Sequence, residues 1–171
     1  LDGDVIQQNK VLAHTITNGA AQWWFDVGGN RYDNPHLMGR IAQLGRIAGK
    51  AAGCDRTPVD EFAFVVDPKG ALKLRVGEQL GGLGQVWQVP QLRRIGAPVG
   101  DYIIDDLPLL KKHKVVYISM LLDPTDEQRR MVEALKSDGR VLIFTHPPGI
   151  FRNREMDEAS MEELTGIRLR L

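Results

Sequence analysis

An α/β fold built on a doubly wound parallel sheet is what this sequence predicts, and three observations carry the prediction. Apolar runs at 62–66, 102–104, 115–118 and 141–144 lack the in–out alternation of half-exposed strands, so they read as strands buried on both faces. Helix start and stop signals fall between them. Polar residues Asp67, Asp105, Asp106, Ser119 and His146 stand at or beyond the carboxyl ends, where an open parallel sheet forms its ligand crevice.

The elements follow in order. Asp4 caps a first helix running to about Ile16, and Asn18-Gly19 supplies a left-handed stop. Ala20 to Val27 is a short apolar and aromatic run ended by Gly28-Gly29-Asn30, which reads as a buried strand. Asn34-Pro35 is an N-cap with proline at the first helical position. Leu37, Met38, Ile41, Leu44, Ile47, Ala48 and Ala51 then recur at spacings of three and four up to Gly53. Residues 54–60, polar and proline-containing, read as a linker between a portion at 1–53 and a domain at 61–171. Phe62 to Val66 is the first strand of that domain, closed by Asp67-Pro68. Gly82 to Ile95 has helical character, although Pro90 removes an amide donor and kinks it. Tyr102 to Asp106 and Val115 to Met120 are the next strands. Asp123-Pro124-Thr125 with Gln128 opens a helix that Gly139 closes, and Arg140 to Thr145 is the fourth strand. With right-handed crossovers these elements give a flavodoxin-like layer, and Gly166 to Leu171 alternates like a strand that has barely started.

Composition narrows the function. Of 171 residues, 22 are Lys or Arg and 22 are Asp or Glu, so no net positive charge favours nucleic acid or an anionic membrane. No apolar run approaches the roughly 18 residues of a membrane span. The single Cys54 cannot form an internal disulfide, and His14, His36, His113 and His146 are scattered without zinc-ligand spacing, so no metal or cofactor is expected.

Chemistry is sought at the strand ends. Gly81-Gly82-Leu83-Gly84 comes too far after the first strand to form a nucleotide-binding loop, and reads as a loop before a helix. Neither Gly-x-Ser-x-Gly nor Gly-x-Cys-x-Gly occurs, so no nucleophile elbow is marked. Asp67, Asp105 and His146 are the crevice candidates. On a strand, Asp105 and Asp106 point to opposite faces and cannot converge on a cation. The acids between Glu155 and Glu163 read as a solvated helix face. Trp24 and Asp26 share a strand face, an arrangement that suits a sugar: the ring stacks on C–H groups and the carboxylate takes hydroxyl hydrogens. A core aromatic with a capping aspartate explains the same pair.

The segment from Gly19 through Trp23-Trp24-Phe25-Asp26 to Asn34-Pro35, with its following helix, resembles the last β/α unit of the (β/α)8 barrel in glycoside hydrolases related to family 42 β-galactosidases. The remainder resembles the module that follows that barrel, the class I glutamine amidotransferase-like β-galactosidase trimerisation domain. Glu61 to Asp67, Leu92 to Pro98 leading into Tyr102 to Leu107, Asp138 to Phe144 with His146 to Ile150, and Met161 to Ile167 carry that likeness.

The resemblance implies a noncatalytic C-terminal portion of a longer enzyme acting on β-galactoside-like or related oligosaccharides. The acid/base and nucleophile carboxylates would stand on earlier barrel strands, upstream of this chain. It implies a homo-oligomer, a trimer by the family's name, that meets carbohydrate through the parent protein. It also implies an amidotransferase-like domain without its nucleophile. Two other readings stay open. One is a self-contained α/β hydrolase or amidotransferase-like enzyme using His146 with Ser119 or Cys54. The other is a binding module that uses the crevice near Asp67, Asp105 and His146.

Overall fold

In the computed structural model, residues 2–25, 32–55, 57, 59–75, 79–145 and 147–168 are described. The chain divides into two units, residues 1–57 and 58–171, a boundary that falls inside the polar stretch 54–60. In the first unit, α1 (Asp2–Thr17) ends where Asn18 and Gly19 donate their amides to the carbonyls of His14 and Ile16, with Gly19 at φ 67. The second helix, α2 (Pro35–Ala52), starts on Asn34, whose side chain accepts the Leu37 amide at 3.1 Å. Leu12 of α1 and Leu37 and Leu44 of α2 are buried, and Arg40 donates to the Asn9 side chain across the pair.

The strand expected over 20–27 does not form across 20–25; Asp26 and Val27 lie outside the described residues. Among the described residues this segment has no ladder partner, and its backbone bonds elsewhere: the Ala20 amide donates to the Thr15 carbonyl at 3.0 Å and the Phe25 carbonyl accepts the Tyr32 hydroxyl at 3.4 Å. Its side chains still alternate. Gln22 and Trp24 turn toward α1, where the Gln22 Nε2 and Trp24 Nε1 both donate to Gln8 Oε1 at 3.1 and 2.9 Å. Trp23 and Phe25 are 74% and 65% exposed, with ring centroids 5.3 Å apart.

The second unit is an α/β domain. Strands β1 (Phe62–Val66), β2 (Val99–Ile103), β3 (Val115–Ser119) and β4 (Val141–Phe144) form one all-parallel sheet in the order β2-β1-β3-β4, compatible with a flavodoxin-like fold. Register places Val66 beside both Ile103 and Ser119, so the carboxyl ends of β1, β2 and β3 finish level. Successive residues point to opposite faces. Ala63, Val65, Val116 and Ile118 build one face with Leu107, Leu110, Val132, Leu135 and Leu164 from the covering helices. Phe62, Phe64 and Tyr117 cluster on the other, with ring centroids 5.6–6.4 Å apart.

Between β1 and β2 the chain makes short turns rather than the single kinked helix expected from Gly82. They are a 3-10 turn at Gly70–Lys73, α3 (Gln79–Gly81), a π turn at Gly82–Val86, and α4 (Gln88–Leu92). Strand β2 also begins three residues before the expected start and stops at Ile103. The reason is a cap: the Asp106 carboxylate accepts the Ile103 amide at 3.1 Å and turns Ile104–Lys112 into 3-10 helix, so Asp105 and Asp106 are not strand residues. Helix α5 (Asp126–Leu135) has the expected capping box between Thr125 and Gln128. After β4 a small hairpin, β5 (Phe151–Arg152) and β6 (Glu155–Met156), turns on Asn153 and Arg154 at positive φ. Helix α6 (Glu158–Thr165) is capped by Asp157 and ended by Gly166 at φ 76.

A buried polar cluster ties the amino edge together. Asp60, just before β1, shares a short hydrogen bond with His113 Nε2 and accepts the Tyr102 hydroxyl at 2.7 Å. An ionised Asp60 makes Nε2 the donor, and Lys112 Nζ lies 3.7 Å from the other carboxylate oxygen. Burial pushes the Asp60 carboxyl up, but the bonds from Tyr102 and His113 outweigh it and hold it below the usual range. Burial and the Asp60 charge push Tyr102 well above an ordinary phenol. Gly100 lies against this cluster, and a Cβ there would run into both the Asp60 carboxylate and the Tyr102 ring.

Candidate functional site

The crevice of a parallel sheet lies beyond the carboxyl ends of its strands, and here the chain itself fills much of that space. Asp67 follows β1. Its amide donates to the Ser119 carbonyl at 3.1 Å, and its carboxylate accepts the Lys69 amide at 3.0 Å, opening the turn at Gly70–Lys73. Asp67 is 2% exposed. Burial, reinforced by the charge of Asp105, raises its carboxyl above the usual range despite the Lys69 amide. Asp105 Oδ1 accepts from Gln128 Nε2 at 3.2 Å, while Gln128 Oε1 takes the Thr125 amide. Asp67 and Asp105 thus lie in one neighbourhood, each held by local hydrogen bonds. Among the described residues no group of three His, Cys, Asp or Glu could hold a metal ion.

The centre of the edge is the turn after β3. Met120 has φ 61, a left-handed conformation that is rare for a side chain of this bulk, and it is 1% exposed. Its amide donates to Thr145 Oγ1 at the end of β4, and its carbonyl accepts the Leu122 amide at 2.9 Å, making a tight bend. Two glycines close over it. A Cβ at Gly70 would run into the Met120 carbonyl, and one at Gly84 into the Met120 thioether. Ser119 is fully buried, and its hydroxyl donates to the Gly84 carbonyl. The glycines at 70 and 84 are therefore sites of close backbone approach, which corrects the reading of Gly81 to Gly84 as a plain loop.

Ser119 consequently has no open approach as a nucleophile. Cys54 is exposed in the first unit and donates to the Lys50 carbonyl. His146 lies outside the described residues, as does Asp26, so Trp24 is the member of the proposed sugar-stacking pair whose contacts are seen. Its indole N–H is committed to Gln8. Sequence reading missed Met120, because backbone conformation has no signal in an apolar run. It also missed Asp60 and His113, which lie 53 residues apart and meet only when β1 and β3 pair.

Among the described residues no helix is long and apolar enough to cross a membrane. Fold and site define a parallel α/β domain whose carboxyl edge is packed by its own chain. Comparison with protein-family models, curated proteins and solved structures finds no match.

Proposed function

We propose that this chain is the noncatalytic C-terminal portion of a glycoside hydrolase, serving oligomerisation and the shaping of a neighbouring active site. In this reading residues 1–53 are the last β/α unit of a (β/α)8 barrel, and the second unit is a doubly wound amidotransferase-like module. The catalytic carboxylates belong to the parent enzyme, which acts on β-galactoside-like or related oligosaccharides.

The observation that supports it is the bend after β3. In α/β-hydrolase folds a strained strand-to-helix turn at the carboxyl edge of the sheet holds the nucleophile. Here the strained residue is Met120, which has no nucleophilic group, and Gly70 and Gly84 seal it from solvent. A retained bend with a sealed, inert side chain fits a module that has the architecture of an enzyme without its chemistry. The exposed Trp23 and Phe25 fit a segment completed by barrel strands from elsewhere in the parent.

The test is hydrolysis of nitrophenyl glycosides by the 171-residue chain and by the native source protein. The proposal expects turnover by the native protein and none by the chain. Turnover by the chain alone that disappears in Ser119→Ala would overturn it and favour the self-contained hydrolase.

A further inference from the structure

A groove of about 570 Å³ opens between the 3-10 helix Ile104–Lys112 and α5, away from the carboxyl edge. Leu107, Pro108, Met131, Ala134 and Leu135 give it an apolar lining, and the volume falls within the range of small-molecule sites. Its charged groups divide by commitment. Arg140 donates to the carbonyls of His113, Leu135 and Lys111, which neutralises the carbonyl ends of both helices that border the groove. Asp138 accepts the Ser137 hydroxyl, and Glu127 stands one turn before Arg130 on α5. Lys111 and Arg130 also line the groove, and neither head group has a hydrogen bond or ion pair among the described residues. Arg140 is held by those carbonyls, so Lys111 and Arg130 are the cations of the groove open to an anion.

We propose that this groove binds a small amphipathic carboxylate, its acyl chain laid on Pro108, Met131 and Ala134 and its head group between Lys111 and Arg130. An apolar chain gains from leaving water on this lining, and the carboxylate supplies the partner that the two cations lack. The assignment is independent of the glycoside hydrolase reading.

The experiment titrates the 171-residue chain with decanoate and, separately, with decanol, following methyl NMR signals and heat. Saturable one-to-one binding of decanoate is expected, with shifts centred on Leu107, Met131 and Leu135. Loss of the two exposed charge contacts should make decanol, or decanoate on the Lys111→Gln/Arg130→Gln variant, about tenfold weaker. Ala134→Trp, at an exposed position that fills the groove without touching the core, should abolish binding. Equal affinity for decanol and decanoate, shifts centred elsewhere, or no saturation would overturn the proposal.

Discussion

Replacing Asp60 with asparagine tests whether the amino edge of the sheet is held electrostatically. The carboxylate is 7% exposed and takes hydrogen bonds from Tyr102 and His113, with Lys112 beside it. Removing one member of a buried pair costs about 3–5 kcal/mol, because the remaining partner is left without compensation. Asparagine keeps one acceptor oxygen, so about half of that, roughly 2 kcal/mol, is expected at pH 7. Asp60 titrates below an unfolded aspartate, whose pKa is about 3.9; its contribution is therefore full above that value and lost as pH falls through the folded one. Native-state hydrogen exchange of the Val65 and Val116 amides reads the second unit alone. The gap between wild type and Asp60→Asn should be about 2 kcal/mol at pH 7 and close in acid, as pH falls through the lowered pKa of the folded state. An equal gap at both pH values, or none at pH 7, would refute the electrostatic account.

Asp67 should behave with the opposite sign. Its carboxyl is raised by burial and Asp105, so the folded state holds that proton more tightly than the unfolded chain, and wild type gains stability as pH falls toward about 4. Asp67→Asn keeps the acceptor for the Lys69 amide and should match or exceed wild type in urea at pH 7, with wild type catching up in acid. Gly70→Ala drives a Cβ into the Met120 carbonyl and should cost at least about 1–3 kcal/mol in a urea midpoint series, since backbone cannot yield as a side chain does. Thr125→Ala removes half of the capping box on α5 and should cost about 1 kcal/mol by the same measurement.

Most of the sheet was legible because burial on both faces leaves continuous apolar runs: β1, β3 and β4 lie within a residue of their expected positions. The second strand was misplaced because Ile103 and Ile104 are equally apolar, and the deciding group is the Asp106 carboxylate, a polar side chain acting three residues back. Caps read well. Asn34, Thr125 and Gln128 act locally, so their geometry is carried by adjacent residues. The β5–β6 hairpin was silent because its turn uses Asn153-Arg154 without the glycine that marks such turns. At the carboxyl edge, Asp67 and Asp105 were found by position, whereas the packing of Gly70 and Gly84 on Met120 depends on contacts some 35 to 50 residues apart that no local pattern records.

The proposed placement of catalysis on a larger parent is tested by the intact mass and light-scattering mass of the native, source-derived protein beside the 171-residue chain. The account predicts a native polypeptide much longer than 171 residues that assembles as a trimer. A native protein of 171 residues that is monomeric in solution would contradict it.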